Sequence, residues 1–333
     1  MSSPVIRLGI SSCLLGEQVR WDGGHKRDPW LAEQLGRFVR YYSVCPEVGC
    51  RFGVPREPLR LVGDPHAPRL VTLRTKQDHT RRMLQWACRR VRELEGEGLC
   101  GFIFKGTSPS CGIKGVRIYG VQGKGAPTPT GQGLFARAFM KHFPLVPVED
   151  DGRLHGPQLR ANFIERVFVM KRWRDGLRQR RRSRGDLVRF HFAHKLLILS
   201  HSPRHYRIME GLVARAKAMP TAALYAEYQQ LLLEALRFMA TPAKHVHVLQ
   251  HVMGYFRKQL SGDERQELQE IIDCYRQGHT PLIVPISRIN HYVRLFDLAF
   301  LKGQRYLHPQ TLQLQVQDLF CAISHLCTPF SPR

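Results

Sequence analysis

The sequence has no run of about 20 apolar residues, which excludes a membrane-spanning helix. Its nine cysteines include no Cys-x-x-Cys pair, so a finger-type zinc site lacks its usual ligand spacing. There is no internal repeat and no low-complexity tract. Acidic residues are scarce, with 27 Asp and Glu against 51 Lys and Arg, giving a formal net charge of +24. An excess of that size points to phosphate-bearing partners, nucleic acid first and a membrane surface second. The first residues, Met-Ser-Ser-Pro-Val-Ile-Arg, lack the basic start and long apolar core of a signal peptide. A cytoplasmic location is therefore expected. Cysteines there stay reduced, and a cluster of them argues for metal or catalysis rather than disulfides.

At 333 residues and 43% hydrophobic, the chain is long enough for two domains with sizeable cores. Its first half alternates strand and helix patterns. Strands are expected over 5–10, 39–44, 70–73, 102–105 and 145–148. Helices are expected around 29–37, over 77–95 and within 131–142, with a Gly/Pro/Thr-rich loop over 120–133. Strands separated by helical segments indicate a parallel α/β sheet. From Leu187 onward only helical spacing appears. Thr241-Pro242 reads as a cap and first-turn proline, and Ser261-Gly-Asp-Glu264 as a capping box. The expected organisation is an α/β domain over 1–165, a basic connecting helix and linker over 166–189, an all-helical domain over 190–310, and a tail over 311–333. Between Lys171 and Arg189 there are nine Lys/Arg and two Asp. Such a segment is either a solvated linker or an RNA-backbone contact through residues such as Arg178, Arg180, Arg181, Arg182 and Arg184.

Three strand patterns each run into a cysteine. Val5-Ile-Arg-Leu-Gly-Ile leads to Ser11-Ser-Cys13, Val39-Arg-Tyr-Tyr-Ser-Val to Cys45-Pro-Glu47, and Phe102-Ile-Phe-Lys to Gly-Thr-Ser-Pro-Ser-Cys111. In parallel α/β sheets the ligand crevice lies outside the carboxyl ends of the strands, which is where these thiols fall. Three separated thiolates suit a [4Fe-4S] cluster whose fourth iron has no protein ligand and can take a substrate atom, a soft sulfur above all. Buried cysteines also serve as small hydrophobes, and Cys88, Cys100, Cys274, Cys321 and Cys327 are assigned that role. Cys50 stays open as a fourth ligand, a sulfur relay or core. Glu47 beside Cys45 suits a general acid or base, and Ser108 and Ser110 beside Cys111 suit substrate orientation. Each could instead cap a helix. Trp21, Asp22, Arg56 and Lys105 are candidates for lining the substrate pocket. His245, His247 and His251 on one helical stretch could stack on RNA, pack, or bind metal.

The blocks Ile10-Ser-Ser-Cys-Leu-Leu-Gly16, Arg20-Trp-Asp-Gly23, Cys45-Pro-Glu-Val-Gly49 with Val54-Pro-Arg-Glu57, and Lys105-Gly-Thr-Ser-Pro-Ser-Cys-Gly112 resemble the thiouracil desulfidase family over about residues 4–150. The resemblance implies an α/β fold, a [4Fe-4S] cluster on Cys13, Cys45 and Cys111, Glu47 as acid/base, and Ser108, with Ser110 still open, as the hydroxyl nearest the substrate. Gly49-Cys50 departs from the Gly-Gly pair common in that family. The helical half, with Phe192-Ala-His-Lys195, Lys244-His-Val-His-Val-Leu-Gln-His251 and Gly254-Tyr-Phe, resembles the domain attached to this one in a two-domain subset acting on thiolated uridine in tRNA, chiefly 4-thiouridine. It implies tRNA as partner, with Lys195 and Lys244 as candidate RNA contacts. The competing readings are a desulfidase of free thiouracil and a non-enzymatic RNA-binding protein with structural or zinc-bound cysteines. Nothing in the sequence sets an oligomeric state or demands a protein partner.

Overall fold

The computed structural model describes residues 6–120, 128–177 and 183–309. Contacts divide the chain into two compact units, Met1–Arg174 and Asp175–Arg333. No helix among the described residues is long and apolar enough to cross a membrane.

In the first unit the strands are β1 (Ile6–Ser11), β2 (Val39–Val44), β3 (Leu59–Val62), β4 (Arg69–Thr72), β5 (Gly101–Phe104), β6 (Val116–Tyr119), β7 (Thr128–Gly131) and β8 (Val148–Asp150). The helices are α1 (Pro46–Gly49), α2 (Thr80–Glu95), α3 (Leu134–His142), α4 (Asp151–Leu154) and α5 (Pro157–Leu177). One sheet has the order β2-β1-β5-β8 and is parallel throughout. The chain builds outward from β1 to β2 on one side, and later through β5 to β8 on the other. The strand order therefore reverses between β1 and β5, and their carboxyl ends form a switch-point crevice. The apolar runs of β1 and β5 are buried, as expected of central parallel strands. Gly9 faces Phe102 across the ladder, and any Cβ there would overlap the Phe102 ring. Phe102 in turn stacks on Phe104 at 4.1 Å between centroids and lies 4.7 Å from Phe139 of α3. α2 and α3 pack on each other, with Trp86 of α2 against Phe135 of α3 at 5.5 Å between ring centroids.

A second sheet, order β4-β3-β6-β7, differs from the expected organisation. Only β4 was anticipated. β3 and β6 are four-residue strands with Arg60 half-exposed and Arg117 exposed, and β7 falls inside the segment expected to be a loop. The last parallel strand starts at Val148 rather than Leu145, because Pro147 has no N–H for the ladder and offers only its carbonyl to Phe102. The segment expected to be a helix over 29–37 is a π-helical turn, Trp30–Gln34, followed by a 3-10 turn, Leu35–Arg37.

The second unit is helical: α6 (Arg184–His201), α7 (Pro203–Ala214), α8 (Thr221–Ala235), α9 (Pro242–Met253), α10 (Gly262–Arg276), α11 (Ile283–Leu295) and α12 (Ala299–Lys302). α6 lies at its centre and packs against α7, α8 and α9. The capping box at Ser261 and Glu264 is complete, and Ser183 with Asp186 forms a second one at the start of α6. Thr241 stands at the N-cap of α9 but makes no side-chain cap bond.

Candidate active site

The carboxyl ends of β1, β2 and β5 are level, with Ser11 opposite Val44 and Ile10 opposite Ile103. Each strand passes directly into a turn that carries one cysteine. Cys13 sits in a 3-10 turn, Ser12–Leu15, closed by Gly16 at φ +99°. Cys45 is the N-cap of α1, whose first helical residue is Pro46. Cys111 follows the Lys105–Ser110 loop, in which Thr107 holds a left-handed φ of +58°, a conformation that β-branched residues rarely adopt. α3 braces this loop from below. The amides of Phe135 and Ala136 donate to the Ser110 carbonyl, and Gly133 lies so close that a Cβ would sit 2.5 Å from the Ser110 carbonyl carbon.

All three cysteines line one cavity of about 260 Å³, together with Trp21, Glu47, Arg56, Lys105 and Ser108. Glu47 stands in the first turn of α1, with both carboxylate oxygens engaged. Oε2 accepts from Arg56 Nε at 2.8 Å and Nη2 at 2.5 Å, and Oε1 accepts from Ser110 Oγ at 2.9 Å. Arg56 is itself pinned by the carbonyls of Gly53 and Val19 at 2.9 Å. Its side chain is 6% exposed and that of Glu47 15%, so the pair is shielded from water. Lys105 pairs with Asp151 at 2.8 Å, and its amide donates to Ser11 Oγ.

The structure separates the two serines. Ser108 lines the cavity, but its Oγ accepts the amides of Ser110 and Cys111 at 3.2 and 3.1 Å and so shapes the loop. Ser110 is fully buried, outside the cavity lining, and holds Glu47. Asp22 does not line the cavity either. Its carboxylate accepts the Gly24 amide at 3.0 Å, which lowers its pKa. Cys50 lies in a separate apolar cluster with Leu61, Leu70, Met83 and Ile118. The sequence reading missed Ser11 and Asp151. Ser11 hydrogen-bonds Cys111, and Asp151 follows the carboxyl end of β8, a position the switch-point rule would have flagged.

Among the described residues, no three His, Cys, Asp or Glu side chains are grouped to hold a single metal ion. The three thiols are gathered instead around one larger cavity, an arrangement that suits a multi-atom centre. Burial pushes Cys13 up to about 11, and raises Cys45 and, still further, Cys111. Three soft thiol donors around one cavity of this size are a donor set that fits an iron–sulfur centre.

Of the candidate RNA contacts, Arg178, Arg180, Arg181 and Arg182 lie outside the described residues. Arg184 donates to the Met219 carbonyl at 2.7 Å. Lys195 pairs with Glu210 at 2.7 Å, and Lys244 donates to the carbonyls of His201 and Met239. These three cations have internal partners.

Fold and site together define an α/β protein with a three-thiol crevice at the switch point of its parallel sheet. Residues 8–151 match the 2-thiouracil desulfurase family, and residues 195–311 match a protein family of unknown function, DUF1722. The uncharacterized protein YbgA of Escherichia coli (strain K12) is 40% identical over 136 residues, which are 40% of this chain and 80% of YbgA. The uncharacterized protein YbbK of Bacillus subtilis (strain 168) is 27% identical over 111 residues, 31% of this chain and 71% of YbbK. Among solved structures, the [4Fe-4S]-dependent thiouracil desulfidase TudS is 30% identical, with a TM-score of 0.38 over 45% of this chain and 93% of that one. The chain belongs to the family of YbgA.

Proposed function

We propose that the protein removes sulfur from thiolated uridine in tRNA, chiefly 4-thiouridine, leaving uridine and hydrogen sulfide. The reading is carried by the convergence of Cys13, Cys45, Cys111 and Glu47 on one cavity of a desulfurase-family domain. The net charge of +24 favours a polyanionic substrate over a free base. Cys13, Cys45 and Cys111 are the residues that would hold a [4Fe-4S] cluster. Bound by three protein ligands, such a cluster supplies a Lewis-acidic iron matched to a soft thiocarbonyl sulfur.

The chain's own residues account for the proton traffic. Glu47 lines the cavity and takes a proton from the water whose oxygen replaces sulfur. Arg56 and Ser110 fix both of its oxygens, so the carboxylate meets the reaction already oriented. Carbon exchanges its bond to sulfur for one to oxygen, the two water protons leave with sulfur as hydrogen sulfide, and no electrons are transferred. Val44, Pro58 and Leu59 give the cavity wall an apolar side. A base within folded tRNA must leave its stack to reach such a crevice, at a cost of a few kcal/mol.

A second reading, desulfurization of free 2-thiouracil, is favoured by the family's own description. Nucleoside analysis of tRNA incubated with anaerobically reconstituted protein decides between them. Loss of 4-thiouridine with matching gain of uridine supports the tRNA reading. Unchanged tRNA beside conversion of free 2-thiouracil overturns it.

A further inference from the structure

The helical unit carries exposed aromatic rings for which the desulfurization chemistry has no use. Phe192 on α6, Tyr255 in the turn after α9 and Phe300 on α12 meet on one face. Phe192 meets Phe300 edge-on at 4.7 Å between centroids, and Tyr255 stacks on Phe300 at 5.0 Å. Phe192 is 48% exposed and Tyr255 39%, so both rings keep surface open to solvent. Leaving two large rings in water forgoes burial that folding normally favours. The face is also rigidly built. Gln304, fully buried, donates through Nε2 to the Phe192 carbonyl at 2.6 Å and accepts the Leu196 amide through Oε1. Its side-chain amide thereby fixes the turn of α6 that presents Phe192.

Charge identifies the occupant. Arg257 and Lys258 follow Tyr255 almost directly, are exposed, and form no ion pair among the described residues. Residues 183–309 hold seventeen Lys/Arg against ten Asp/Glu. A docked amphipathic helix would want an aliphatic groove. Ring faces open to solvent, with exposed cations two and three residues further along the chain, are instead the equipment of single-strand binding, in which bases stack and phosphates pair.

We infer that Phe192 and Tyr255, braced by Phe300, form a stacking platform for unpaired bases of single-stranded RNA, with Arg257 and Lys258 meeting its backbone. The inference rests on the tRNA reading only for which RNA is bound. The platform itself would take any unpaired stretch.

The test is fluorescence anisotropy with a labelled oligouridylate and the full chain at fixed salt. Phe192→Leu/Tyr255→Leu, which keeps apolar bulk but removes the ring faces, should weaken binding about tenfold or more and leave the salt dependence unchanged. Arg257→Gln/Lys258→Gln should weaken binding and lower the slope of log Kd against log salt by about 1.4, roughly 0.7 per lost phosphate contact. Thermal melts of both variants should match the unaltered protein. Wild-type affinity in a folded Leu variant overturns the platform. So does unchanged RNA binding with altered self-association, which assigns the face to a protein contact. Turnover of free 2-thiouracil by the Leu variant should stay at the wild-type level. If the unaltered protein desulfurates nothing while oligouridylate binding follows these expectations, the functional reading fails and the platform stands.

Discussion

In the α/β unit the chemically capable side chains converge on one cavity, whereas in the helical unit they are dispersed and used up locally. Cys13, Cys45, Cys111 and Glu47 share a wall, and even their supports, Arg56 and Ser110, point their bonds at Glu47. Buried and half-buried histidines of the helical unit bond its own backbone and tyrosines instead. His194 bonds the Phe190 carbonyl, His201 the Phe238 carbonyl, and His245 the Tyr306 hydroxyl. A parallel sheet brings loops from distant sequence to one edge, so reactive groups can meet there. A helix bundle satisfies its backbone internally and offers mainly its surface. The contrast is why we propose chemistry for the first unit and recognition for the second.

The largest expected effect tests the convergence itself. Cys111→Ala should abolish both the iron centre and turnover, read as loss of visible absorbance, iron and acid-labile sulfide in an anaerobic preparation. Full iron content in that variant would remove Cys111 from the ligand set. Next, Glu47→Gln should retain iron but lower turnover by about 10² to 10⁴. Turnover within a factor of two of wild type rules Glu47 out as the base.

The third prediction concerns the helical unit alone. Burial lowers His191 and His245 to about 4, from an ordinary value near 6.5. The groups around His191 are Glu210, Lys195 and Tyr228; those around His245 are Lys244, His201, Tyr275 and Tyr306. Because the folded pKa is depressed for a base, the unfolded chain takes up protons first. Stability is therefore fully present above pH 6.5 and falls as pH drops toward 4, by up to about 3 kcal/mol per histidine. Urea midpoints at pH 7.5 and 5 should show the drop, and His191→Phe should remove about half of it. A flat profile contradicts the burial argument.

The smallest effect returns to the sheet. Gly9→Ala presses a methyl group into Phe102, which cannot retreat from Phe104 and Phe139. It should cost about 1–3 kcal/mol, visible as a lowered Tm. An unchanged Tm would mean that the aromatic core can shift.

Long apolar patterns made the parallel sheet legible in the sequence. β1, β2 and β5 were placed within a residue, because each is a strand with a turn and a cysteine at its end. The second sheet was not legible. β3 and β6 are only four residues long with arginines between the apolar positions, and β7, Thr-Pro-Thr-Gly, carries residues that normally signal a loop. At the site, residue type and spacing suggested the three thiols and Glu47. They could not tell Ser108 from Ser110, since both lie in one turn and only the fold decides which hydroxyl faces Glu47. Cys50 was ambiguous for a similar reason. Five residues from Cys45, it turns into the core beside Met83 rather than toward the cavity. The surface aromatics were invisible as a group because Phe192, Tyr255 and Phe300 come from three separate elements.

The central claim, that this crevice removes sulfur from tRNA, is tested most directly by measuring sulfide release together with the uridine formed from 4-thiouridine-containing tRNA under anaerobic conditions. The account predicts one sulfide per uridine with the unaltered, iron-loaded protein and neither product with Glu47→Gln over the same interval. Iron-loaded protein that leaves every thiouridine intact would contradict it.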